Sequence, residues 1–175
     1  MPIYIEVPCK PLVKRYIHNR YGCPVQFPQN DFLYTLLQNL MVRHETRNDA
    51  AINIQYYTCT VDLPITFRDY DNYGNELTLT AIRHINQTIQ DIIEEHLYLF
   101  ISFYHRIAGM QIKDAIATFR QIYNIEEEDY KTDAIIKFYQ RERKRREERK
   151  ITPTFVLSPN AAEKISMPNH RTRTA

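Results

Sequence analysis

The chain contains no tryptophan and only three glycines and three cysteines in its 175 residues. So little glycine argues against a loop-rich β-sandwich, whose many turns draw on it. It also leaves no Gly-rich phosphate loop and no Gly-x-Ser-x-Gly nucleophile elbow. Cys9, Cys23 and Cys59 are odd in number, widely spaced and without a Cys-x-x-Cys pair, so neither a zinc site nor a disulfide framework is indicated. Free thiols fit a reducing cytosol, and a cytoplasmic location is the expectation. The opening Met-Pro-Ile-Tyr-Ile-Glu-Val-Pro lacks the basic and apolar regions of a secretory leader. No apolar run approaches the roughly 20 residues that span a bilayer, so no membrane contact is expected.

His84, His96 and His105 lie in one helical stretch, but their spacing does not bring two of them onto one face as a zincin requires. No Glu-x-x-His pair of a di-iron bundle occurs. The expectation is therefore a protein that is not an enzyme and needs no cofactor or metal. Apolar residues make up 43% of the chain, enough for a real core.

The net charge of +2 hides a strong asymmetry. Residues 131–175 hold 12 Lys/Arg against 5 Asp/Glu, whereas residues 1–130 hold 11 against 16. A basic end on an acidic body points to a polyanion partner. A solvated helix with internal ion pairs is the plainer reading of the same charges.

Ile3-Tyr4-Ile5-Glu6-Val7 alternates as a short strand, which Pro8 is expected to stop. Pro11 opens a helix with Leu12, Tyr16 and Ile17 on one face, and Gly22 ends it. Asn30 or Asp31 caps the next helix, striped by Phe32, Leu33, Leu36, Leu37, Leu40 and Met41. His44 to Asp49 reads as a polar loop. Residues 52–67 form a second β stretch, with a parity switch that predicts a bulge near Tyr56. This stretch is the natural partner of residues 3–7. Residues 69–75 read as a turn-rich loop.

A long helix from about Thr80 to Ala108 follows, with Ile82, Ile85, Ile89, Ile92, Ile93, Leu97, Phe100, Ile101, Tyr104 and Ile107 at helical spacing. It is the expected spine, closed by Gly109. A short helix over 112–123 buries Ala115, Ile116, Phe119 and Tyr123, and Asn124 closes it in a left-handed conformation. A last helix is expected to begin at Glu126, where acids complement the helix dipole. Ile135, Phe138 and Tyr139 anchor it. Beyond Gln140 no strongly apolar residue remains before Ile151, so its basic end is expected to project from the body.

The fold class read from this pattern is α+β and predominantly helical. A small two-stranded β element packs with four to five helices, and a helix-turn-helix-like unit closes the chain. The expected division is a body over 1–109, that unit over 110–150 and a flexible tail over 151–175. The candidate nucleic-acid contacts are Lys131, Lys137, Arg141, Arg143, Lys144, Arg145, Arg146, Arg149 and Lys150. Phosphate contact by such a run is mainly electrostatic. The acids at 126–129 stand where a recognition helix would meet DNA and would repel phosphate. A ribbon-helix-helix order over residues 3–43 is a second, weaker route to DNA. The tyrosines at 56, 57, 70 and 73 could stack bases, or could simply cover a small sheet and its loop.

The pattern running from Asp114 through Phe119, Tyr123, Ile125, Glu127, Asp129, Asp133, Lys137, Tyr139 and Arg141 to Arg143 resembles small uncharacterised proteins of Bacteroidetes phages and integrated elements. The opening Ile-Tyr-Ile-Glu-Val-Pro and the helix ending Asn-Arg-Tyr-Gly22 add to the resemblance, which covers about a third of the chain. The C-terminal part is also loosely similar to the helix-turn-helix of Mor-type phage transcription activators. The resemblance implies a phage or mobile-element context, and with the basic helix the expected role is nucleic-acid binding in gene regulation or element maintenance. Nucleic acid, DNA first, is the expected partner, alongside a homo-oligomer or another phage or element protein. The alternative is a structural or assembly protein whose basic arm orders on a partner.

Overall fold

The structure, a computed structural model, describes residues 3–42, 57–74 and 76–149. The expectations for residues 44–56 and 151–175, including the bulge and the tail, lie outside them.

Strand β1 (Ile3–Cys9) pairs antiparallel with β3 (Cys59–Ile65), from Ile3 opposite Ile65 to Cys9 opposite Cys59. Alternation drives this pairing. Ile5 and Val7 on one strand and Val61, Leu63 and Ile65 on the other are buried on one face. Pro8 does not stop β1. Among the described residues β1 has β3 alone as partner, and on the side away from β3 a missing N–H breaks no bond of that ladder. A second ladder, which the sequence pattern did not reveal, joins β2 (Met41–Val42) to β4 (Glu76–Leu77).

Helix α1 (Pro11–Tyr21) begins at its proline and ends at Gly22, whose φ of 85° suits glycine. Helix α2 (Phe32–Leu40) is capped by Asp31, which accepts from the amides of Leu33 and Tyr34. Leu33 and Leu37 are buried, but Phe32 is 61% exposed and leaves the expected stripe. Residues 69–73, expected as part of a loop, belong to α3 (Phe67–Tyr73), which opens at residue 67, where the β stretch was expected to end. The cause is a capping box: Thr66 Oγ1 accepts from the Asp69 amide, and the Asp69 carboxylate accepts from the Thr66 amide. Burial alone would raise the Asp69 carboxyl, but hydrogen bonds from Thr66, Tyr34 and Gln38 hold it below the usual range.

The spine α4 (Leu79–Arg106) starts at Thr78, whose hydroxyl accepts from the Ala81 amide. Ile85, Ile89, Ile93, Leu97, Phe100 and Ile101 are buried along it, whereas Ile107 is 73% exposed just past its end. Helix α5 (Ile112–Tyr123) buries Ala115, Ile116 and Phe119 and closes on Asn124 at φ 52° and ψ 42°. Helix α6 (Thr132–Glu148) starts later than the acids predict. One continuous core joins Ile5, Tyr16, Leu63, Leu97, Phe119 and Tyr139, and so links the ladder to the last helix.

Helix α1 is the platform for α5. Tyr16 stacks on Tyr123 at 5.5 Å, and Asn19 donates to the Ile122 carbonyl at 2.7 Å. On its other side the Tyr16 hydroxyl lies 2.7 Å from His96 Nδ1 and accepts from Arg20 at 3.4 Å. A neutral His96 ring can accept from the Tyr16 hydroxyl through Nδ1, whereas a protonated ring can only donate to it. Burial, then the Arg20 charge, hold the His96 ring below the usual imidazole value, against a smaller opposing effect of Glu95. The unfolded chain takes up this proton more readily, so the junction's contribution is complete above the unfolded value of about 6.5. It is lost as pH falls below that, through the folded value. Urea unfolding at about pH 7.5 and about pH 5.5 should show lower stability at the acid value. His96→Gln keeps an acceptor for Tyr16 and should flatten that dependence. An equal slope in both proteins would remove His96 as its source.

Candidate nucleic-acid interface

Residues 124–131 connect α5 to α6, a longer link than the two residues between a helix over 112–123 and one expected to begin at Glu126. The acids at 126–129 sit in this connector and not in the helix. Arg15 of α1 reaches Glu126 at 2.7 Å, Asp129 at 2.9 Å and the Asn124 carbonyl at 3.4 Å. Arg120 pairs with Glu127 and donates to Thr132 Oγ1 at 2.7 Å. The Thr132 amide and hydroxyl also bond Glu127, and with Arg120 they hold that carboxyl below its usual range. Three of the four acids are thus partnered by groups from α1, α5 and the start of α6. The repulsion expected against phosphate is correspondingly reduced.

The basic end of α6 does not project. It packs across α4 through Ile135, Tyr139, Glu142 and Arg146, which recur at the spacing of one helix face. Tyr139 meets Tyr98 of α4 at 5.6 Å between ring centroids. Arg146 lies 4.2 Å over the Tyr98 ring, pairs with Glu95 and bonds Glu142 at 2.8 Å. Glu142 also accepts from Arg145 at 2.6 Å. Burial by itself would raise the Glu142 carboxyl, but these two arginines hold it low. Glu147 bridges Arg143 at 2.7 Å and Arg106 of α4 at 3.2 Å.

An apolar face is therefore replaced by a charged seam. Missing large hydrophobes made the helix end look unanchored, yet a guanidinium over an aromatic ring with two carboxylates anchors it. The signal was present as Glu95, Tyr98 and Arg106, spaced along one side of α4. It became readable only with α6 beside it.

The nine candidate cations separate accordingly. Arg143, Arg145 and Arg146 are engaged in the seam network. Lys137, Arg141 and Lys144 lie on the opposite face of α6, exposed and without a hydrogen bond or ion pair among the described residues. Lys131 precedes the helix and Arg149 ends it, both exposed. Lys150 lies outside the described residues. Of the three histidines, His96 is committed to Tyr16, His105 lies 2.9 Å from the Met110 carbonyl, and His84 is exposed. No described helix is long and apolar enough to cross a membrane. In comparison with known proteins, no family model, no curated protein and no solved structure matches this chain.

Proposed function

We propose that the protein binds nucleic acid, duplex DNA in the first place, through the outward face of α6. Lys131, Lys137, Arg141, Lys144 and Arg149 contact phosphates, with Lys150 beyond them. The carrying observation is the division of labour on α6. One face is locked to α4, so the opposite face presents Lys137, Arg141 and Lys144 as a stripe at helical spacing. Such contacts position the duplex more than they read its bases. The role in regulation or maintenance of a phage or mobile element rests on the resemblance of the sequence. The exposed aromatics of α3, Phe67, Tyr70 and Tyr73, favour a second reading, an assembly protein whose partner covers them.

The test is the replacement of Lys137, Arg141 and Lys144 together by glutamine, with binding to a labelled duplex followed by fluorescence anisotropy. Affinity should fall by roughly 10–100-fold at about 50 mM salt. The slope of log affinity against log salt should flatten by about 2.7, three phosphate contacts at about 0.9 each. The loss should be similar on unrelated duplexes. Absence of binding by the native protein at about 10 mM salt, where attraction is least screened, would remove the nucleic-acid reading and leave assembly.

A further inference from the structure

The β1–β3 register places Cys9 directly opposite Cys59 at the last rung of the ladder. Both lie on the core-facing parity, Cys9 with Ile5 and Val7, Cys59 with Val61 and Leu63. Facing residues in an antiparallel pair have Cα atoms about 4.5 or about 5.5 Å apart, according to the type of pair. Both separations fall within the window of about 4.4–6.8 Å that a disulfide spans. The Cα separation thus fits a bridge, and the further approach of the Cβ atoms to about 3.8 Å falls on the last rung, where the ladder ends and the strands are freest to adjust. The thiols are free here, with Cys9 buried and Cys59 half-exposed.

We propose that Cys9 and Cys59 form a redox pair, which a low-molecular-weight disulfide such as glutathione disulfide converts to a cross-strand disulfide. The Cys59 thiolate attacks one sulfur of glutathione disulfide, forms a mixed disulfide and releases one glutathione, which takes up the Cys59 proton. The deprotonated Cys9 sulfur then attacks the Cys59 sulfur and expels the second glutathione, which takes up the Cys9 proton. Two protein thiols are oxidised, and one glutathione disulfide is reduced to two thiols.

The order of attack follows from exposure. Burial, and then the neighbouring Cys59, push the Cys9 thiol up to about 12. Cys9 is therefore a poor first nucleophile and reacts only once the mixed disulfide is held against it. The ring so closed contains α1 and α2, and α1 carries the Arg15, Tyr16 and Asn19 contacts that support α5 and the connector. Oxidation would constrain that platform most in the unfolded chain, because the closed loop is long.

The experiment uses the full chain with Cys23→Ser, which removes the exposed third thiol. The native protein is incubated with glutathione disulfide, then digested and mapped without reduction. One peptide pair joined through Cys9 and Cys59 is expected, together with a Tm higher by roughly 5–15 °C. Both should reverse with dithiothreitol. Adding Cys59→Ser, at a half-exposed position that tolerates exchange, should abolish both. A stable glutathione adduct on Cys59 without the bridge would overturn the proposal, as would a bridge that forms only in denaturant.

Discussion

Leu97→Ala lowers the unfolding free energy by about 2–5 kcal/mol, the range for truncating a buried leucine. Leu97 is completely buried near the middle of α4. Its helix packs against β1, α1, α2, β4, α5 and α6. The cost has a transfer part and a cavity part, and here the cavity part should be large. The surrounding elements are fixed elsewhere, β1 by its ladder, α5 by the Tyr16–Tyr123 stack and α6 by the charged seam, so they cannot close together around a void. In a domain of this size that loss corresponds to a fall in Tm of roughly 5–15 °C. Urea titration of variant and parent at one pH measures it. A loss below about 1 kcal/mol would put Leu97 at the surface and overturn the spine role of α4.

That role was legible because α4 repeats its apolar residues over seven turns, which leaves no competing period. Helices α1 and α5 were legible because Pro11, Gly22 and Asn124 mark their ends through backbone conformation alone. Helix α3 was not. Its Asp, Asn and Tyr residues, followed by Gly74, read as turn formers, and the Thr66–Asp69 box that caps it is a short signal within a loop-like composition. Its carboxylate also depends on Tyr34 and Gln38 of α2, which no local window contains. The start of α6 was misplaced for a related reason. Glu126, Glu127 and Asp129 look like first-turn acids, yet Arg15 and Arg120 draw them into a connector. Arg15 lies over a hundred positions upstream of them, so only the fold could supply the partner.

The candidate interface shows the same limit and makes the second large effect specific. Arg146→Gln should cost about 1.5–3 kcal/mol of stability, whereas Lys144→Gln should change it by less than about 0.5 kcal/mol. The Arg146 and Glu142 side chains are 13% and 11% exposed, so removing the guanidinium leaves a nearly buried carboxylate short of one partner. Arg145 remains for Glu142, and Glu95 is 46% exposed and can turn to water, which keeps the cost below that of orphaning a fully buried ion. The contact with the Tyr98 ring is lost as well. DNA binding should respond in the opposite order. Lys144→Gln should flatten the salt slope by about 0.9, and Arg146→Gln, in the protein that remains folded, should leave it unchanged. A helix end standing free in solvent would make these two cations equivalent in both measurements. Equal melting temperatures together with equal salt slopes would therefore undo the docking of α6 on α4, and with it the proposed division of its charges into an anchoring face and a binding face.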